Sequence, residues 1–300
     1  MHRRLAVALI LSCLSFAPAW AEPKAELIGT YRWEVEAKWF GGISGLELAS
    51  DGRRFYAVSD RGSLLLGEFE RDDDVLNSVH LIARVRLKQS KNDPLTGRFR
   101  DAEGIALRDD GSFCISFEHT HRTGCYAFAG APPVILPEHP DFKRLHENST
   151  LEALAVDGQN RLLTIPENAP TPTGPFPAYR WENGAWSVVF HLPREGSFLP
   201  VGADFGPDGR LYLLERDAAG IGFRTRIRSW KIRTDQPQDE QTHLETFYLV
   251  HGNLEGLSVW QDERGRVRFT LVADNNFMDL LRTEIVEYAM PALAKGRATH

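Results

Sequence analysis

Ala102-Glu103-Gly104-Ile105-Ala106-Leu107, the turn Asp110-Gly111, and Phe113-Cys114-Ile115-Ser116-Phe117-Glu118-His119 make up one copy of a pattern that runs through the chain. A short apolar segment opens on Gly or an acid. A turn with Asp and Gly follows. An apolar strand then ends in an acid followed by a polar residue. Asp-Gly between alternating apolar runs is a hairpin signal, because Gly tolerates the positive φ that such turns require.

Four other stretches follow the same plan. The first in the chain is 43–48, with the turn Asp51-Gly52 and a strand closed by Asp60-Arg61. The third is 151–156, with Asp157-Gly158 and Glu167-Asn168. The fourth is 201–205, with Asp208-Gly209 and Glu215-Arg216. The fifth is 254–259, with a turn around Arg264-Gly265 and an end at Asp274-Asn275. The copies recur at roughly 50 residues and are followed by further strand-like runs, for example 186–192 and 244–250. A repeat of this length with about four strands per unit indicates propeller blades.

The fold class expected is therefore all-β, a β-propeller. Five blades are favoured; six remain possible if a long inter-copy segment hides a degenerate blade. After the fifth copy only one good strand, 284–289, remains. A spare strand at 27–35 precedes the first copy, and lending it to the last blade would close the ring and remove exposed sheet edges.

The start of the chain reads as a targeting signal. Arg3-Arg4, an apolar run over 5–17 and Ala19-Trp20-Ala21 predict a secretory signal peptide over 1–21, cleaved after Ala21. The expected arrangement is then one propeller domain over 22–300, periplasmic or secreted. The formal charge is −6, and loss of Arg3 and Arg4 would deepen it. An acidic surface argues against nucleic acid as partner. No later apolar run has the roughly 20 residues of a membrane helix. Cys114 and Cys125 flank a hairpin turn. This placement predicts a cross-strand disulfide, with two buried thiols as the alternative.

In each hairpin the start of the first strand and the end of the second share one face, and in a propeller the first strand lines the channel. Asp60, Glu118, Glu167, Glu215 and Asp274 thus gather at one mouth with Glu103, Glu152 and Glu255, while Ser44 and Val201 occupy the equivalent positions in the other copies. Asp204 lies nearby in the fourth copy. Carboxylates brought together repel unless a cation, protonation or basic partners compensate. Hard cations such as Ca²⁺ prefer many oxygen ligands, so Glu103, Glu152, Glu167, Glu215, Glu255, Asp60 and Asp274 are candidate ligands. Glu118, His119 and Glu103 are candidate catalytic groups, and Arg61, Arg216, Asn168 and Asn275 candidate substrate contacts. Such acids can equally tie blade to blade by accepting backbone N–H groups.

Glu103-Gly104-Ile105-Ala106, Asn148-Ser149-Thr150-Leu151-Glu152-Ala153-Leu154, Pro207-Asp208-Gly209-Arg210-Leu211-Tyr212-Leu213-Leu214-Glu215-Arg216 and Asn253-Leu254-Glu255-Gly256-Leu257 resemble the bacterial family called "esterase-like activity of phytase", over about Gly41 to Asn276. The resemblance implies esterase or phosphodiesterase chemistry on phosphate esters. Glu103, Glu118, Glu152, Glu167, Glu215 and Glu255 match its acidic pattern; Ser44 and Val201 depart from it. Two readings follow. One is a divalent-cation-assisted hydrolase, with Ca²⁺ as cofactor and a small anionic ester or sugar phosphate as ligand. The other is a non-catalytic binding or scaffold propeller whose acids are structural.

Overall fold

A computed structural model describes residues 24–145, 151–169, 171, 173–278 and 281–292. The expected signal segment lies outside the described residues. The first strand, β1 (Glu26–Arg32), is followed by five hairpin-led groups. The first group is β2 (Ile43–Leu48), β3 (Arg54–Ser59), β4 (Ser63–Asp72) and β5 (Val75–Arg86). The second is β6 (Ala102–Leu107), β7 (Phe113–Phe117), β8 (Arg122–Tyr126) and the short β9 (Val134–Ile135). The third is β10 (Ala153–Val156), β11 (Leu162–Ile165), β12 (Phe176–Glu182) and β13 (Ala185–Leu192). The fourth is β14 (Leu199–Phe205), β15 (Arg210–Ala219), β16 (Gly222–Arg233) and β17 (Gln236–Glu245). The last is β18 (Asn253–Gln261), β19 (Val267–Asp274) and β20 (Glu284–Ala289).

Each group forms one antiparallel four-stranded sheet, and β1 supplies the fourth strand of the last, in the order β1-β20-β19-β18. The molecule is thus a five-bladed propeller closed by its N-terminal strand. Ala25 N–H adds a bond to His243 O of blade 4 at 2.8 Å, and Trp33 N–H one to Thr283 O at 3.0 Å.

The apolar faces explain why the blades stack. Each buried cluster spans one blade interface. Val58 and Leu64 of blade 1 meet Phe113 and Phe117 of blade 2. Cys114 and Phe142 meet Leu162 and Tyr179 of blade 3. Ile165 and Phe176 meet Leu213 and Trp230 of blade 4. Leu214 and Ile227 meet Phe269 and Leu271 of blade 5. Trp260 and Val272 return to Leu46 and Phe55 of blade 1, so burial of apolar surface is continuous around the ring. In blade 2, Cys114 and Cys125 pair directly across β7 and β8 and are joined by a disulfide.

Near the axis the inner strands approach closely. A Cβ on Gly45 would lie 2.5 Å from Glu103 O, and one on Gly104 2.6 Å from Glu152 O. Gly202 and Gly256 meet backbone of the next blade at 2.6 and 2.8 Å. The channel between the two mouths consequently narrows to a cavity of about 10 Å³, space for about one water.

Candidate functional site

The start of each inner strand is irregular, and this aims the site. Strand pairing shifts between Ile43 and Gly45, Ala102 and Ile105, Pro200 and Gly202, and Leu254 and Gly256. A bulge leaves a residue out of the ladder and re-aims its side chain. The residues at these shifts include Ser44, Glu103, Val201 and Glu255; in blade 3, Glu152 stands just ahead of the first pair, Ala153 with Ile165. All five residues line the axial constriction.

The strand register identifies the partners of this inner ring. Leu46–Ala57, Ile105–Ile115, Leu154–Thr164, Ala203–Leu213 and Leu257–Leu271 are equivalent pairs. Three residues beyond the second member of each stand Asp60, Glu118, Glu167, Arg216 and Asp274. The fifth member of the ring is therefore an arginine. This corrects the expectation for Glu215, which sits one position earlier and faces the interior of blade 4. Its carboxylate is fully buried and accepts Arg226 Nε at 2.8 Å and Arg228 Nε and Nη2 at 2.7 and 2.6 Å. It holds two buried guanidiniums and is not a ligand at the mouth. Asp204 is also displaced from the expected place: it faces the opposite, turn-side mouth.

Arg216 divides the acids into two kinds. Its Nη1 donates to Glu255 Oε1 and, at 2.6 Å, to Asn253 Oδ1; its Nη2 donates to Glu167 Oε1 at 3.0 Å. Asn253 Nδ2 also donates to Glu255 at 2.8 Å. Burial alone would lower the Arg216 pKa, but Glu255, Glu167 and Glu152 hold it above its ordinary value. Glu103 and Glu152, by contrast, take no hydrogen bond from another described side chain. Burial first, then the neighbouring carboxylates, pushes both well above the usual range: Glu152 and Glu255 act on Glu103, and Glu167 and Glu255 on Glu152.

A second group lies beside them. His119 Nε2 is 3.0 Å from Asp101 Oδ2 and 3.4 Å from Glu118 Oε2. The ligand atoms of these three residues fall within 4.8 Å of one another, a spacing that can hold a metal ion. His119 has φ +56°, an uncommon conformation for a non-glycine residue that places its ring against the two acids. Glu118 is pushed up to about 8 by burial and by Asp101. Asp101, itself raised by burial against the pull of His119, was not picked out from the sequence. It precedes β6 and has no acidic counterpart in the other copies.

Asp60 completes the arc. Burial, Asp274 and Asp101 raise it to about 8, and its Oδ1 is buried without a hydrogen-bond partner. Asp274, raised by burial, accepts Asn276 N–H at 2.8 Å. Glu255 is raised by burial to about 7 despite the opposing pull of Arg216.

The remaining candidates divide by role. Asn275 Oδ1 accepts Gly42 N–H at 3.0 Å and Phe277 N–H at 3.2 Å, so it ties blade 5 to blade 1. Arg61 is exposed, with its guanidinium 3.1 Å from the Phe277 ring centroid and Nη1 bonded to Lys38 O at 3.1 Å. Asn168 is half-buried, next to Glu167.

The donor set fits a hard divalent cation. Carboxylate oxygens dominate, Asp60 Oδ1 is buried without a partner among the described residues, and Arg216 neutralises only one side of the mouth. Among the described residues, no helix is long and apolar enough to cross a membrane.

The family model described as "Phytase-like: Esterase-like activity of phytase" matches residues 38–277. No curated protein matches the sequence. Among solved structures, the PQQ-bound aldose sugar dehydrogenase from Streptomyces coelicolor is similar at 14% identity and a TM-score of 0.48, covering 90% of this chain and 100% of that one. The virginiamycin B lyase from Staphylococcus aureus is similar at 12% identity and a TM-score of 0.43, covering 89% and 75%. Such distant likenesses assign neither activity nor ligand.

Proposed function

Because the chain belongs to the phytase-like family, we propose that its acidic mouth holds a divalent cation, Ca²⁺ in the first instance, and hydrolyses a phosphate ester or related ester there. The observation that carries this reading is that, among the described residues, Asp60 Oδ1 is buried without a partner and Glu103 and Glu152 take no side-chain hydrogen bond, in a mouth whose other acids have partners. Buried carboxylates left this way need a cation or protons.

Glu103, Glu152, Asp60 and Asp274 would surround the cation, with Glu255 and Glu167 kept in position by Arg216, and the described ligand atoms that lie within 4.8 Å of one another, on Asp101, Glu118 and His119, stand beside them. A bound cation supplies polarisation of the ester and a lowered pKa for its water. Glu118, pushed up to about 8, would give a proton to a leaving oxygen, and His119 would exchange one with Asp101 and Glu118. Arg61, exposed, suits an anionic ester group.

Calorimetric titration of Ca²⁺ into metal-free full-length protein tests this reading. Saturable binding is expected, with Glu103→Gln and Glu152→Gln each weakening it at least tenfold. Absence of binding would leave the scaffold reading, which the bonds of Asn275 to Gly42 and of Arg216 to Glu167 and Glu255 favour.

A further inference from the structure

The opposite mouth is a funnel of about 1340 Å³ lined by residues of all five blades, with the hairpin turns of blades 1 to 4 and the end of β18 in its wall. Glu47, Ala106, Ala155, Asp204 and Ser258 occupy one equivalent position of the five inner strands, and of these Glu47 and Asp204 line the funnel. In two blades this position ties one blade to the next. Asp204 Oδ2 accepts Val259 N–H of blade 5 at 2.6 Å, and Ser258 Oγ accepts Leu48 N–H of blade 1 at 2.9 Å. In two others it is alanine.

Glu47 does neither. It is only 9% exposed, lines the funnel, and makes no hydrogen bond to a described residue. Burial and the charge of Asp204 push its carboxyl well above the usual range, and no basic group offsets them. Asp204 is raised to about 7 by burial against the pull of backbone N–H groups. The arginines around the funnel are committed elsewhere: Arg54 to Asp51, Arg161 to Asp157 and Arg180 to Asp235. Arg108, also in its wall, bonds neither acid. The backbone tie that Asp204 and Ser258 make at this position is not made by Glu47.

We propose that the turn-side funnel is a second ligand site, which binds a small organic amine with its ammonium on Glu47 and Asp204. An ammonium has three donors and one positive charge. It can satisfy Glu47 and the oxygen of Asp204 that Val259 leaves over. Tyr56, Leu163, Phe190, Phe205 and Trp260 in the wall offer apolar surface to a carbon skeleton, which a bare metal ion would not use. The axial constriction of about 10 Å³ separates this funnel from the acidic mouth, so the two sites bind independently.

Calorimetry with 1,4-diaminobutane on the full-length protein tests the proposal, with 1,4-butanediol as the uncharged control. Saturable binding of the diamine alone is expected, weakened at least tenfold by Glu47→Gln. Glu47→Ala is a second variant, since blades 2 and 3 carry alanine there and it should fold. Glu103→Gln, at the other mouth, should leave amine affinity unchanged whether or not that mouth binds Ca²⁺. No binding, equal binding of the diol, binding undiminished in both Glu47 variants, or loss of binding in Glu103→Gln would each overturn it.

Discussion

Blades 2 and 4 carry the same motif and use it in opposite directions. Glu118 in blade 2 reaches the mouth beside Asp101 and His119. Glu215 in blade 4 points inward, and the arginine after it takes the place at the mouth. The blades are also held differently. In blade 4, β15, β16 and β17 have 10 to 12 residues and lie over two buried guanidiniums. In blade 2, β7 and β8 have five residues each and β9 two, with a disulfide across the hairpin. A strand-end acid therefore takes its role from register: one residue of shift turns a ring member into a core counter-ion.

The largest expected effect comes from Glu215→Gln. Removing one partner of a buried ion pair costs about 3–5 kcal/mol, because Arg226 and Arg228 lose their shared carboxylate. Glu118→Gln should be near neutral, since it relieves crowding among acids. Denaturant unfolding of both variants checks the contrast, and equal losses would break it.

Next in size is the staple of blade 2. Replacing Cys114 and Cys125 by Ser should cost about 3 kcal/mol from the loop the bond closes. The loss should be measurable as a lowered denaturation midpoint. An unchanged midpoint would mean that β7 and β8 are held by packing alone.

The smallest effect is a pH dependence. Glu118 and Asp60 are raised to about 8 and Glu255 to about 7. Unfolded carboxyls titrate near about 4, so the native protein binds more protons between these limits. The associated stability is complete below about pH 4 and is lost as pH rises through 7 to 8. In metal-free protein the thermal midpoint should fall from pH 5 to pH 9, and by less in Glu118→Gln. A midpoint that rises with pH would contradict the protonated mouth.

The propeller was legible because turn chemistry and apolar alternation repeat together. Each Asp-Gly or Arg-Gly turn joins the two strands that set a blade's inner edge, and the strand deficit after 289 matched the spare at the N-terminus. The acidic mouth was legible at Glu103, Glu152 and Glu255, because side-chain direction there follows from place in the hairpin. Arg216 was assigned to the mouth, but as a neighbour of Glu215 rather than as the ring member. The count from the turn held the clue: Arg216 follows Asp208 by the same distance as Glu118 follows Asp110. Asp101 has no acidic counterpart in the other copies and Glu47 has one alone, Asp204 in blade 4, so a reading built on recurrence in every copy passes over them. The role of Glu47 depends on Asp204 in another blade and that of Asp101 on the turn at His119, and neither follows from the repeat.

The strand that closes the ring also orders events in time. β1 is made before the other described strands and its partner β20 after them, and Glu26 pairs with Ala289. Blade 5 cannot complete its sheet until β20 has been made. Closure of the ring therefore rests on a strand pairing of very large sequence separation, the kind that makes folding slow. Until that step the outer edge of β20 has open backbone groups, so the interval between synthesis and closure is when this protein is most exposed to pairing with another chain.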